Sequence, residues 1–255
     1  MATIFGHKWD IGNGLKFDGV NDYVEVSKVF ALADIRTVSF WMKSSNNDIA
    51  DTIVCFGKTG SSNAYAWLTF TINSGVFLFG YMSSIGTNIN ACSIAENLRD
   101  NNIHNVVCVV SGSRIYNDIS GFKCYVDGIE VILTNVSNSN TTPPVIQGTS
   151  KIGAFPSITT GRFYKDYLFD LKVFNKELSQ AEVTEFYLKQ GQIVPASAMS
   201  SLQLDYRFNN KSGTVLTDNS VNGYHGTLVN YAAGTTDLGA SNMWSDKYGN
   251  PLTAY

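Results

Sequence analysis

From Thr37 to Lys43 the chain places Val38, Phe40 and Met42 on one side of a pleat and Ser39, Trp41 and Lys43 on the other. That is the period-two pattern of a strand packed on at least one face. The same pattern recurs along most of the sequence. Tyr65 to Ile72 and Val76 to Tyr81 flank Asn73-Ser74-Gly75, residues that tolerate the positive φ of a tight hairpin. Asn105 to Ser111 and Phe122 to Val126 form another strand pair, and Asp127-Gly128 turns into Ile129 to Leu133. Short strands punctuated by Gly, Asn, Asp and Ser continue to about Val173. So many β-branched and aromatic residues predict an all-β sandwich of two packed antiparallel sheets. A chain of 255 residues, 44% hydrophobic and 15% charged, can bury the core of one such domain.

One helix interrupts the strands near 180–190. Ser179 is an N-cap, Glu182 completes a capping box, and Gly191 supplies the stop. Val183, Phe186, Tyr187 and Gln190 mark one face, which is expected to cover the sandwich edge. Residues 192–201 lack periodicity and read as a connector. Asn135 to Thr142 reads as a polar loop, ended by Pro143-Pro144, which cannot join a central strand. Residues 235–255 are rich in Gly, Asn and Ser, and no element is assigned there.

Several segments resemble laminin G-like domains of the concanavalin A-like lectin/glucanase superfamily. Leu15 to Val26, with Phe17-Asp18-Gly19 and Asp22-Tyr23-Val24, is similar to that family's first strand pair. Val38 to Lys43 resembles its second core strand. Asn105 to Val110, Cys124 to Gly128 and Lys151 to Ala154 come next, in the family's order. Phe169 to Glu182 resembles its closing strand-to-helix signature. The resemblance implies a concanavalin A-like jelly-roll. One element stands out of order: Leu202 to Asn230 resembles the motif that opens the family's domains, yet it stands behind a finished one. Only about 25 residues remain behind it, too few for a second sandwich. The expectation is a single, circularly permuted domain over 1–255. Its parts are a core at 1–191, a connector at 192–201, a returning segment at 202–230 and an irregular tail at 231–255. Donation of the returning strand to a neighbouring subunit is the alternative.

Retaining glycoside hydrolysis needs two carboxylates about 5 Å apart, and hydrolases of this fold display them as Glu-x-Asp-x-x-Glu. No such run occurs. Glu25 lies between valines, Glu130 stands just after a turn, and Glu177, Glu182 and Glu185 lie at or in the helix. His7, His104 and His225 are dispersed, with no nucleophile in an elbow context. These absences predict a non-enzymatic protein. Cys55, Cys92, Cys108 and Cys124 lack zinc-site spacing. Buried thiols are the favoured reading, with a Cys108–Cys124 disulfide as the alternative. Asp218 to Gly226 offers one carboxylate and the Asn222 amide to Ca2+, fewer ligands than that ion takes. Phe169 stands where relatives carry an Asp that helps bind calcium. No cofactor is expected, with Ca2+ the one ion to test. Aromatics available to stack on sugars are Tyr65, Trp67, Tyr116, Tyr224 and Trp244, with Tyr116 and Trp244 in loop-like sequence. They define no specific site.

A net charge of −3 with dispersed Lys and Arg argues against nucleic acid as a partner. No window approaches eighteen apolar residues, so no membrane span is expected. Met1 to Asp10 carries no secretory signal, which makes the Asn-x-Ser/Thr triplets at Asn135, Asn140 and Asn210 chance occurrences. The leading expectation is a phage virion component (fibre, tail or capsid-associated) that binds a glycan or neighbouring subunits, with a homo-oligomer as one form of assembly. The alternative is a carbohydrate-binding module of a secreted or surface polysaccharide-utilisation system, placed outside the cell.

Overall fold

The alternating runs become strands in a computed structural model. It describes residues 14–31, 34–45, 50–57, 67–82, 89–110, 121–138, 148–155, 162–191, 193–208, 213–231 and 244–245. In chain order the strands begin with β1 (Gly14–Asp18), β2 (Tyr23–Val26), β3 (Thr37–Lys43), β4 (Ala50–Phe56), β5 (Trp67–Asn73) and β6 (Val76–Met82). Then come β7 (Ile89–Ser93), β8 (Ile103–Val109), β9 (Lys123–Val126), β10 (Ile129–Val131), β11 (Thr134–Asn138), β12 (Ser150–Ile152) and β13 (Lys165–Phe174). Helix α1 (Gln180–Leu188) precedes β14 (Leu202–Tyr206), β15 (Val215–Leu216), β16 (Gly226–Val229) and β17 (Trp244–Ser245).

The strands form two antiparallel sheets. The first runs β10-β9-β8-β3-β13-β1-β17, with β14 also bonded to β13. The second runs β11-β7-β6-β5-β4-β12-β2-β16-β15. The first residues of the loop expected from Asn135 instead pair with β7 as part of β11 (Thr134–Asn138). Inward side chains meet in one core that includes Phe17, Phe40, Phe56, Phe70, Phe77 and Phe79. The hairpin turns obey the residue chemistry: Ser74-Gly75 and Asp127-Gly128 both take positive φ, as the twist-matched hairpin turn requires.

Helix α1 has the expected start. The Ser179 hydroxyl accepts the Glu182 amide, and Glu182 reaches back to the Ser179 amide. Its placement corrects the expectation. The helix lies on the outer face of the first sheet, not on an edge, because that face is apolar too. Val107, Val109, Tyr125 and Phe174 point outward from β8, β9 and β13 and pack against Leu178, Val183, Phe186, Val194, Ala198 and Leu202. Trp41 stacks on Tyr187 at 5.7 Å. Glu182 ties the helix to the connector and to the end of β13, since it accepts the Ser197 hydroxyl and the Lys176 ammonium, each at 2.5 Å. Gly191, at φ +72°, lets the chain leave the helix across this layer; a Cβ there would sit 2.3 Å from Asp170 Oδ2.

The returning segment enters both sheets of its own chain. β14 pairs with residues 171–174 of β13, and β1 pairs with residues 165–169 on the same side. The two short strands therefore lie end to end along one edge of β13, with Tyr206 opposite Leu171 and Gly14 opposite Phe169. β16 pairs with β2 in the second sheet, where Leu228 lies opposite Val24.

Candidate functional site

Where β14 emerges beside the connector, the chain encloses a cleft of about 230 Å³. Ile193, Val194, Met199 and Leu202 form one wall, Asn219, Ser220 and Val221 the other, and Asp205 and Arg207 the floor. Alternation explains the floor. Leu204 and Tyr206 point into the core, so Asp205 and Arg207 face outward on the same strand.

Beneath the floor lies a buried ionic chain. Lys172 of β13 is fully buried, and its ammonium contacts Asp170 and lies 2.9 Å from Asp205 Oδ1. Asp205, also fully buried, holds Arg207 through its other oxygen, with Nε at 2.9 Å and Nη2 at 2.8 Å. Asp170 sits at a bulge of β13 at φ 44°. Burial pushes its carboxyl up to about 6, against the pull of Lys172 and with a further push from Asp205. The Arg207 guanidinium is held above its ordinary value by its hydrogen bond to Asp205, and its side chain is 46% exposed. Two of the five guanidinium N–H groups are thus engaged with Asp205.

The second wall is rigid because its polar atoms bond to the chain. Asp218 accepts the amides of Asp205, Ser220 and Tyr224 and the Ser220 hydroxyl. Asn222 donates to the carbonyls of Leu202 and Gln203, and Nδ1 of His225 accepts the Asp218 amide. Asp218 thus uses its oxygens on amides of the turn and of β14, and Asn222 its nitrogen on β14 carbonyls. Among the described residues no three His, Cys, Asp or Glu side chains converge as metal ligands.

The other candidates lie elsewhere. His7, Tyr65 and Tyr116, and the side chains of Trp67 and Trp244, lie outside the described residues. Tyr224 belongs to the margin of the core: its ring meets Phe30 edge-on at 6.2 Å and its carbonyl accepts the Tyr206 hydroxyl. Glu130 pairs with Lys123 and Glu185 with Lys189. All four cysteines are buried free thiols; Cys108 and Cys124 face each other with sulfurs 3.8 Å apart. Phe169 packs on the outer face with Trp41 and Tyr167.

His104 is a clasp. Nδ1 meets Asp127 Oδ2 at 2.9 Å and Nε2 meets Asp100 Oδ1 at 3.0 Å. The hydrogen bond to Asp127 leads in raising its pKa above the ordinary 6.5, against desolvation. A raised folded value means the clasp stabilises fully below pH 6.5 and fades as pH rises through the folded value. Comparing melting temperatures at pH 6 and pH 8.5 should show wild type losing its advantage over His104→Gln. Parallel pH profiles would refute the clasp.

Two packed antiparallel sheets with a helix over one outer face define a jelly-roll β-sandwich. A laminin G-type family profile, described as the concanavalin A-like lectin/glucanases superfamily, matches residues 18–184, and the chain belongs to that family. The returning segment lies beyond the matched stretch. No curated protein matches the chain. Among solved structures it is similar to a Bacteroides ovatus protein whose assignment as a carbohydrate binding protein is provisional. That pair has 16% identity and a TM-score of 0.59 over 86% of this chain and 58% of that one. The chain thus spans less than two thirds of that neighbour, and at this identity the likeness shows the fold alone. A pentraxin from Limulus polyphemus aligns at 16% identity and TM-score 0.49, over 71% of this chain and 83% of that one. Mouse laminin α1 domains LG4-5 align at 17% and 0.46, over 71% and 46%. No helix among the described residues is long and apolar enough to cross a membrane.

Sequence reading missed the floor of the cleft. It singles out none of Asp170, Lys172, Asp205 and Arg207. A signal was present: paired opposite charges at i and i+2 on two strands otherwise rich in apolar residues.

Proposed function

We propose that the protein is a non-catalytic recognition domain that binds a saccharide in the cleft between the connector and residues 219–221. The observation that carries this reading is the cleft's composition. Arg207 and Asn219 offer polar groups at fixed positions, while Ile193, Met199 and Val221 form an exposed apolar lip. A sugar residue has the same two-sided character, with hydroxyls around an apolar ring face, and such sites combine apolar lining with a few placed polar groups. Membership of a lectin/glucanase superfamily points to the same ligand class.

Glycan-array screening and then NMR titration of the labelled protein test this. A bound saccharide should shift resonances of residues 193–202, 205–207 and 219–221. Shifts confined to another surface would overturn the assignment of the site. The setting is a further part of the proposal: a phage virion component directed at a host glycan, or alternatively a module of a polysaccharide-utilisation system. Neighbouring capsid and tail genes would favour the first, and polysaccharide-degradation genes the second.

A further inference from the structure

The floor of the cleft is built to present one edge of a guanidinium. Arg207 gives its Nε and Nη2 edge to a single oxygen of Asp205. That leaves the opposite edge, formed by Nη1 and the second Nη2 proton, as a two-donor fork at a half-exposed side chain. A planar fork of this kind matches the two oxygens of a carboxylate. The neutralising charge is out of a ligand's reach, because the Asp205 side chain is fully buried and shared with Lys172. Every other described residue lining the cleft is uncharged. Arg207 is therefore the exposed charge that a ligand meets there, and it is positive. The two carboxylates and the buried ammonium fix its orientation, so little side-chain freedom is lost on binding.

Resting on the reading of the cleft as a saccharide site, we infer that its ligand carries a carboxylate, as a hexuronate or a nonulosonate residue. Arg207 receives the carboxylate through its free edge, and Val221 and Met199 pack against the sugar ring. A charge-assisted, two-bond contact should favour the acid over its neutral ester by about tenfold.

The test titrates the full chain, at fixed ionic strength, with methyl glycosides of glucuronate, galacturonate and N-acetylneuraminate. The glucuronate methyl ester and methyl glucoside serve as neutral controls. At least one acid should bind about tenfold tighter than the neutral sugars, and the three acids distinguish hexuronate from nonulosonate. Arg207→Gln should erase the gap, and Arg207→Lys should keep part of it. Val221 is fully exposed, so Val221→Asp places a negative charge at the lip without touching the core and should weaken the acids selectively. Equal binding of acid and ester, or an undiminished gap in Arg207→Gln, overturns the carboxylate assignment and leaves saccharide recognition standing. Binding of no saccharide overturns both.

Discussion

Deleting residues 200–255 is expected to abolish soluble folding. The segment looks dispensable in a linear view, since the family profile ends at residue 184, but its side chains fill the core. Leu204, Tyr206, Phe208, Leu216, Leu228 and Tyr231 are all buried in the main cluster. Six such side chains contribute roughly 9–18 kcal/mol at the usual transfer values. Whole domains of ordinary size are stable by about 5–15 kcal/mol, so the deletion outweighs the reserve. It would also strip β13 of its partner at residues 171–174 and β2 of its partner at residues 23–26. Both exposed edges would invite aggregation. Soluble yield, circular dichroism and urea unfolding of the 1–199 fragment decide the matter. A soluble fragment with one cooperative transition would sink the idea, and with it the circular permutation we propose for this order of segments. The end-to-end placement of β14 and β1 along β13 is what a single family strand would look like after such a cut.

The elements that were legible in the sequence are those whose causes are local. Alternation in Thr37 to Lys43 gives β3, with Val38, Phe40 and Met42 in the core. Ser74-Gly75 and Asp127-Gly128 make hairpins because their residues accept positive φ, and Ser179 with Glu182 caps the helix. The hidden features depend on contacts distant in sequence. Ser39 and Trp41 take the polar side of the alternation, yet both are buried, and Tyr187 of α1 lies over Trp41. Lys172 and Asp205 are buried as well, with the Lys172 ammonium over the Phe186 ring of α1. Alternation assigns residues to two faces but cannot say that both faces are covered. The bulge at Asp170, which shifts the register of β13 against β3, has no local signal either: its cause is the sheet around it. The cleft was illegible for the same reason, because its walls come from residues 193–202 and 219–221 and meet only when β14 returns to β13.

Lys172→Met should be the most damaging single substitution in the outer layer. Removing one member of a buried ion pair leaves the others desolvated without compensation, at a cost of about 3–5 kcal/mol. For a chain of this length that lowers the melting temperature by roughly 6–20 °C. The loss should depend on pH in a way that identifies its cause. Asp170 already takes up a proton near pH 6 because burial outweighs Lys172. Its folded value is raised, so the folded state binds the proton more tightly than the unfolded chain, and stability falls as pH rises from the ordinary carboxylate range to about 6. Without the ammonium that value climbs further. The variant therefore suffers less at pH 5, where Asp170 is neutral, than at pH 8, where it must ionise or hold its proton at a cost. Lys172→Met combined with Asp205→Leu removes the second stranded charge and should recover much of the loss at pH 5. Urea unfolding at both pH values reads each outcome. A cost independent of pH would show that Lys172 acts by packing on Phe186, over whose ring its ammonium lies at 5.7 Å. A cost that shrinks at pH 5 would show that its charge holds Asp170 and Asp205 in place, and through Asp205 the Arg207 fork at the floor of the cleft.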